Sequence, residues 1–343
     1  MKDRTTIEFA KAFNEAYKTA FSEINTCFYP GCNENSINTH ILQKNGILSS
    51  IAPSRHLMEQ SIDQHKSPPI FFKKIGIDKA FSFNCFCKNH DNSLFKEIED
   101  SPIDFYNYKH QILLTLRTIL NEKYKKLIVI RQNEILLSNN PNLKSTGIQE
   151  FNAQQKLGLK DLESIEKKIW NDINSQDKSF VFIFRKIPIK EICLSSYFTF
   201  ETTNEIQNHY VKYGKDPDHI TDIFVNLVPY RNKSYFMIGY EKSYEKKVKK
   251  FVPHFMKCWI FPSTIFRKKR LEKWITNILV FHCENWVCSE SFYNSKIKPV
   301  ESFFYEADLF SSKNNDERII FDLNMFRKNF PEKIHKWKKE YVG

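Results

Sequence analysis

Two short pairs of soft donors carry the most definite chemistry in this chain. Cys27 and Cys32 are separated by four residues, and Cys87 and His90 by two. Zinc takes four such donors at about 2.0–2.3 Å in a tetrahedron, and two close pairs supply them because a tight turn lets both side chains of a pair face one ion. Pro30 and Gly31 lie inside the first pair, as a turn there requires. The second pair falls where a loop enters a helix that continues through Asn92–Glu99. The spacing therefore predicts one structural Zn2+ held by Cys27, Cys32, Cys87 and His90, with Cys85 an alternative to Cys87 or His90 as a donor. The other use of such cysteines is as small buried hydrophobes. Eight cysteines in a chain without a secretory signal read as metal ligands or buried thiols and not as disulfides.

The elements that must position these donors follow from periodicity. Over residues 5–22, Ile7, Phe9, Ala10, Phe13, Ala16, Tyr17 and Phe21 recur at helical spacing. The segment 27–91 reads as loop-rich, with Pro30, Gly31, Pro53, Pro68, Pro69 and Gly76 marking turns. Helical periodicity returns from Pro102 to about Asn139 and again over 150–174, where Leu157, Leu162, Ile165, Ile169 and Trp170 form a stripe. The polar link Asn139–Gly147 predicts that these two helices form an antiparallel hairpin. After Ser179 the pattern changes to short runs rich in Phe, Ile, Val and Tyr, which read as strands: SFVFIFRKI, ICLSSYFTFET, ITDIFVNLVPY and KSYFMIGYE. Helical patterns cover 244–257, 267–281 and 323–340. The expected class is α+β. An N-terminal helix and a zinc-stabilised finger occupy 1–100, a helical hairpin 101–178, and an α+β domain with a mostly antiparallel sheet 179–343.

The first metal pair is followed by Asn38-Thr39-His40-Ile41, and the second by Asp91 and a helix. This order resembles the HNH, or ββα-metal, endonuclease finger, over roughly residues 20–100 and so under a third of the chain. The resemblance implies a treble-clef frame built on zinc and a catalytic divalent ion, Mg2+ or Mn2+, on the other side of it. It also implies cleavage of phosphodiester bonds, in DNA more than in RNA, as in many such proteins of bacterial anti-phage defence. By the same resemblance His40 matches the first His of the motif, the base that takes a proton from the attacking water. An imidazole near its natural pKa suits that task. Asp91 falls where the family has a His or Asn that holds the catalytic metal, and a hard carboxylate there suits Mg2+. Asn84, or Ser82, falls near the middle Asn that orients the base. Thr39 stands where the family usually has a metal-binding Asp, and the middle Asn is out of register by about two. The alternative is a zinc finger that binds nucleic acid or protein without cleaving anything.

The formal net charge is +12, and a basic chain favours an anionic partner, nucleic acid above all. Much of the charge lies in 242–273, with eleven Lys or Arg against two Glu. Tyr244, Phe251, Phe255, Trp259, Phe261 and Phe266 interleave with them. Lys246, Lys247, Lys249, Lys250, Arg267, Lys268, Lys269 and Arg270 are the candidate phosphate contacts, with an aromatic ring to stack on a base. A solvated face of an amphipathic helix is the other use of this pattern. Cys283 and Cys288 repeat the first spacing, with His282 adjacent and His254 and Cys258 upstream. Trp286 and Val287 between them read as buried strand, so no second zinc is expected. Cys193 reads as core.

Several classes are excluded. The chain has only 8 Gly, too few to rest on glycine-rich phosphate loops. No G-x-x-x-x-G-K-[ST], G-x-S-x-G, H-E-x-x-H or G-x-G-x-x-G occurs, which argues against an NTPase, an α/β-hydrolase, a zincin or a dinucleotide enzyme. No stretch approaches about 18 uncharged apolar residues, so no membrane span is expected. Residues 1–24 are polar and periodic, without a secretory pattern, so the expected location is the cytoplasm. The helical hairpin or the C-terminal domain is the expected surface for a protein partner or a second copy.

Overall fold

The computed structural model describes residues 4–62, 66–145, 147–175, 177–201, 203–214, 220–251, 265–313 and 320–342. In chain order the first elements are α1 (Arg4–Glu23), β1 (Asn38–His40), β2 (His56–Ile62), β3 (Ile70–Gly76), β4 (Ser82–Asn84), α2 (Lys88–Glu99), α3 (Tyr108–Asn139) and α4 (Ile148–Ser175). There follow β5 (Phe180–Pro188), β6 (Ile192–Thr199), α5 (Thr203–Tyr213), β7 (Asp222–Tyr230), β8 (Lys233–Glu241), α6 (Glu245–Phe251), α7 (Ile265–Asn277), β9 (Trp286–Cys288), α8 (Ser302–Lys313) and α9 (Phe330–Tyr341). They gather into two compact units. One holds the described residues up to Ile41 together with Ser82–Asp177, and the other holds Leu42–Phe81 and nearly all described residues from Lys178 onward. The class is α+β, as the sequence predicts.

In the first unit β1 and β4 pair antiparallel, Asn38 opposite Asn84, Thr39 opposite Phe83 and His40 opposite Ser82. Directly opposed residues share a face, so Thr39 and Phe83 point to the buried side while Asn38, His40, Ser82 and Asn84 share the other. The helix α2 follows at once and completes a ββα unit. α3 and α4 form the expected antiparallel hairpin, clamped by Lys123 Nζ to Glu166 Oε2 at 2.6 Å and by Lys156 to Glu134 at 2.7 Å. Every residue of α3 from His110 to Asn121 is buried, so this helix is enclosed around its whole circumference. α1 meets α3 where Gln132 donates to Phe13 O at 3.0 Å, Arg131 pairs with Glu23 and Phe21 meets Tyr124, and Ala16 and Ala20 of α1 are buried. The aromatics read as its apolar stripe behave differently: Phe9, Phe13, Tyr17 and Phe21, spaced four apart, are 39–46% exposed.

The second unit is a seven-stranded sheet in the order β3-β2-β9-β6-β7-β8-β5, with antiparallel neighbours throughout. β5 to β8 are the four runs expected as strands. β2 and β3 correct the loop-rich reading of 27–91. Pro53, Pro68 and Pro69 do mark turns, but those turns bound two seven-residue strands whose mixed polar sequence hides them. β7 and β8 are joined by Arg231 and Asn232, both at positive φ, the two-residue turn whose twist matches a hairpin. One face of the sheet, with Ile223, Val225, Leu227, Phe236, Ile238 and Tyr240, shares a core with Trp274 and Ile278, Phe303 and Phe304, and Ile334 and Trp337. The last helix begins at Phe330 and not at 323, with Pro331 in its first turn where a missing N–H costs nothing. Residues 252–264, which complete the basic aromatic stretch and include His254 and Cys258, lie outside the described residues.

Gly239 sits in β8 opposite Phe182, and a Cβ there would lie 2.4 Å from the Phe182 ring and 3.1 Å from that of Phe224. Gly239→Ala is therefore expected to lower stability by about 1–3 kcal/mol through overpacking, which chemical denaturation measures. An unchanged midpoint would show that both rings move aside freely.

Candidate metal centre

The first knuckle is built by the backbone. Cys27 N–H donates to Glu34 O at 2.9 Å, and Cys32 N–H to Tyr29 O at 3.0 Å. Gly31 takes φ +78° at the tip, a conformation in which any other side chain is strained. The second knuckle is a helix start. Cys87 is extended, φ −69° and ψ 161°, immediately before α2, its carbonyl accepts from Asp91 N–H at 3.0 Å, and His90 stands in the first turn. The two knuckles are stitched by Phe28 N–H to Cys85 O at 2.9 Å and by Ile37 N–H to Phe86 O at 2.8 Å. This places one ligand atom each from Cys27, Cys32, Cys87 and His90 within 4.8 Å of one another. His90 Nδ1 lies 3.2 Å from Cys87 Sγ and 3.5 Å from Cys27 Sγ. Thiolate and imidazole donors of a tetrahedral zinc lie about 3.6 Å apart, so the residues fit that ion. Cys85 is fully buried outside the cluster, which settles the open choice of donor in favour of Cys87 and His90.

The donors of the cluster sit in unlike electrostatic surroundings. Burial pushes the Cys27 thiol up to about 11, whereas the His90 backbone N–H at the start of α2 holds Cys87 below the ordinary thiol range. Three thiolates in this space need a compensating +2 charge, which zinc provides. The helical hairpin braces the cluster. Tyr29 stacks on the His90 ring at 3.9 Å, Trp170 meets Tyr29 edge-on at 5.3 Å, and Trp170 also meets Phe86 at 6.4 Å. Trp170 Nε1 donates to Glu166, the same carboxylate that clamps Lys123.

The residues read as catalytic separate into two groups. His40 is half-buried on the open face of the β1–β4 pair, and its charge is the least of the influences on the Asp91 carboxyl. Asn84 shares that face but stands opposite Asn38, while Ser82 stands opposite His40. Thr39 is buried and donates to Phe83 O at 3.4 Å, so it offers nothing to an ion. Asp91 alone of the expected catalytic residues carries a carboxylate. Burial raises its carboxyl above the ordinary range despite the counteracting charge of Arg117, whose Nη2 lies 3.2 Å from Oδ1. Arg117, which also bonds Glu99 at 2.6 Å, is the residue that sequence reasoning missed. The signal was a single cation inside the run Leu113–Leu120 of a helix buried on all sides.

The basic residues are placed as follows. Lys246, Lys247, Lys249, Lys269 and Arg270 are exposed, with Lys247 paired to Glu201 at 2.8 Å and Lys249 to Glu245 at 2.7 Å. The side chains of Lys250, Arg267 and Lys268 lie outside the described residues. Cys283 and Cys288 are buried in the second unit, Cys193 is fully buried, and the described residues hold no second metal cluster. No described helix is long and apolar enough to cross a membrane. Comparison with family models, curated proteins and solved structures gave no match.

Purified protein is expected to carry about one zinc per chain by metal analysis. Cys32→Ser should lose most of that zinc and melt several degrees lower, while Cys85→Ala, outside the cluster, should keep it. A metal-free chain that melts like the zinc-loaded one would remove zinc from the fold.

Proposed function

We propose that this chain is a zinc-framed phosphodiesterase of the HNH type, acting on DNA in preference to RNA, with His40 as general base and Asp91 as the carboxylate that holds Mg2+ or Mn2+. The observation that carries the reading is the four-donor cluster in a ββα unit that has His40 on β1 and Asp91 in the first turn of α2. Hydrolysis of a phosphodiester needs a base to take the proton of the attacking water and a hard ligand beside the phosphate. When bound, the divalent ion supplies charge neutralisation at the phosphate and the leaving oxygen. The chain's own residues do the rest. The short β1–β4 pair fixes the backbone that carries His40, and the helix start locked by Cys87 and His90 fixes the backbone of Asp91. The exposed Lys246, Lys249, Lys269 and Arg270 add attraction for a polyanion that salt weakens.

The second reading, a finger that binds without cleaving, draws on Thr39. Its hydroxyl points to the buried face, so His40 lacks the neighbouring carboxylate that would be a second ligand. A plasmid-nicking assay with zinc-loaded protein and Mg2+ or Mn2+ separates the two. His40→Ala is expected to lose at least about 100-fold in rate with zinc content unchanged. Cleavage that is unaffected removes His40 from the mechanism. Absence of cleavage by the native protein with either ion, alongside salt-sensitive DNA binding, establishes the non-cleaving finger.

A further inference from the structure

The corner of the large sheet at the β7–β8 turn gathers cations and rings on one face. The core side of this sheet carries Ile223, Val225 and Leu227 of β7, Phe236 and Ile238 of β8, and Ile183 of β5. Side chains alternate along a strand, so Lys186, Tyr230, Lys233 and Tyr235 all fall on the opposite side. The register sets Lys186 directly across from Tyr235 and Lys233 directly across from Tyr230, so cation and ring alternate both across the strands and along β8. The two tyrosine rings lie 6.5 Å apart. Lys186 Nζ lies 5.9 Å from the centre of the Tyr235 ring, and the Arg231 guanidinium 5.3 Å from that of Tyr230. Lys186, Arg231 and Lys233 are exposed, and the two rings partly so.

Two further observations set this corner apart from the basic stretch 242–273. Lys247 and Lys249 are already paired with Glu201 and Glu245, whereas Lys186, Arg231 and Lys233 make no ion pair among the described residues. Arg231 also takes φ 48° in the first place of a two-residue turn, where Asn or Gly is the unstrained choice. Either of those would close the same turn, so what Arg231 adds there is a cation at the tip.

We propose that this corner is a contact surface for a single polynucleotide strand, with Lys186, Arg231 and Lys233 meeting phosphates and the rings of Tyr230 and Tyr235 meeting bases. A single strand offers phosphates and base faces in alternation, which suits alternating cations and rings. A duplex keeps its base faces stacked inside and leaves the tyrosines nothing to meet. The surface goes beyond the proposed nuclease chemistry and stands whether or not the finger cleaves.

The test is fluorescence anisotropy of the full-length protein with an end-labelled single-stranded oligodeoxynucleotide of mixed sequence, over a range of salt concentrations, with melting checked for each variant. Arg231→Asn, which suits the turn, should melt no lower than the native protein and bind about threefold or more weaker. Lys186→Gln, Arg231→Asn and Lys233→Gln combined should weaken binding more than about tenfold. The combination should also lower the slope of log affinity against log salt by about 2, the share of three phosphate contacts on a single strand. Tyr235→Leu should weaken binding about fivefold or more and leave that slope unchanged. If Tyr235→Leu melts lower, Arg231→Asn and the triple variant carry the test. Affinity of the triple variant within about twofold of the native protein overturns the proposal, and so does tighter native binding of the matching duplex than of the single strand. Plasmid nicking on the same samples keeps the two readings apart. His40-dependent cleavage by a protein that does not bind the single strand keeps the nuclease and removes the corner. Single-strand binding that the triple variant loses, in a protein that cleaves nothing, does the reverse.

Discussion

Everything in the first unit depends on bringing three thiols and one imidazole within 4.8 Å of each other. Those groups come from two backbone turns about 55 residues apart in sequence, joined by the Phe28–Cys85 and Ile37–Phe86 backbone hydrogen bonds. The structure meets the requirement with local geometry and long-range packing together. Gly31 and the start of α2 shape the knuckles, Tyr29 of the first knuckle stacks on His90, and Trp170 from the helical hairpin packs edge-on against Tyr29. An ion in such a site contributes folding free energy directly, because the unfolded chain has no preformed site.

A consequence is a division of labour along a single short stretch. Cys87 and His90 belong to the donor cluster, and Asp91, one residue on, to the proposed chemistry. The helix start that lowers the Cys87 thiol also fixes the position of Asp91, so scaffold and candidate ligand share one backbone. Arg117 then ties that backbone to the most enclosed helix of the unit. Rigidity reaches His40 by another route, through the pairing of β1 with β4.

Much of this was legible in the sequence, for definite reasons. Donor spacing brought out the clustered residues, with only Cys85 left open as an alternative, because a knuckle is a local turn. The long helices and β5 to β8 were legible because their apolar periods are long and regular. β2 and β3 were not, because residues such as Glu59, Gln60, Lys73 and Lys74 break the apolar alternation and prolines nearby suggest loop. The four aromatics of α1 misled in the opposite sense. They keep a helical period without being buried, while Ala16 and Ala20 of the same helix are buried. Arg117 was invisible because its meaning depends on α2, which no local pattern connects to it.

Between β1 and β4, Leu42–Phe81 leave the first unit and include β2 and β3 of the second. During synthesis β2 and β3 are complete by residue 76, yet the neighbour that flanks β2, namely β9, emerges only at 286–288. For some two hundred residues of translation that hairpin has an open edge, the kind of surface on which nascent chains misassociate. Pairings so distant in sequence are also slow to form. The zinc knuckles, whose last donor is residue 90, can close much earlier. An ion bound there before the sheet forms would tie down both ends of the excursion, near residues 40 and 82, and make the segment a tethered loop.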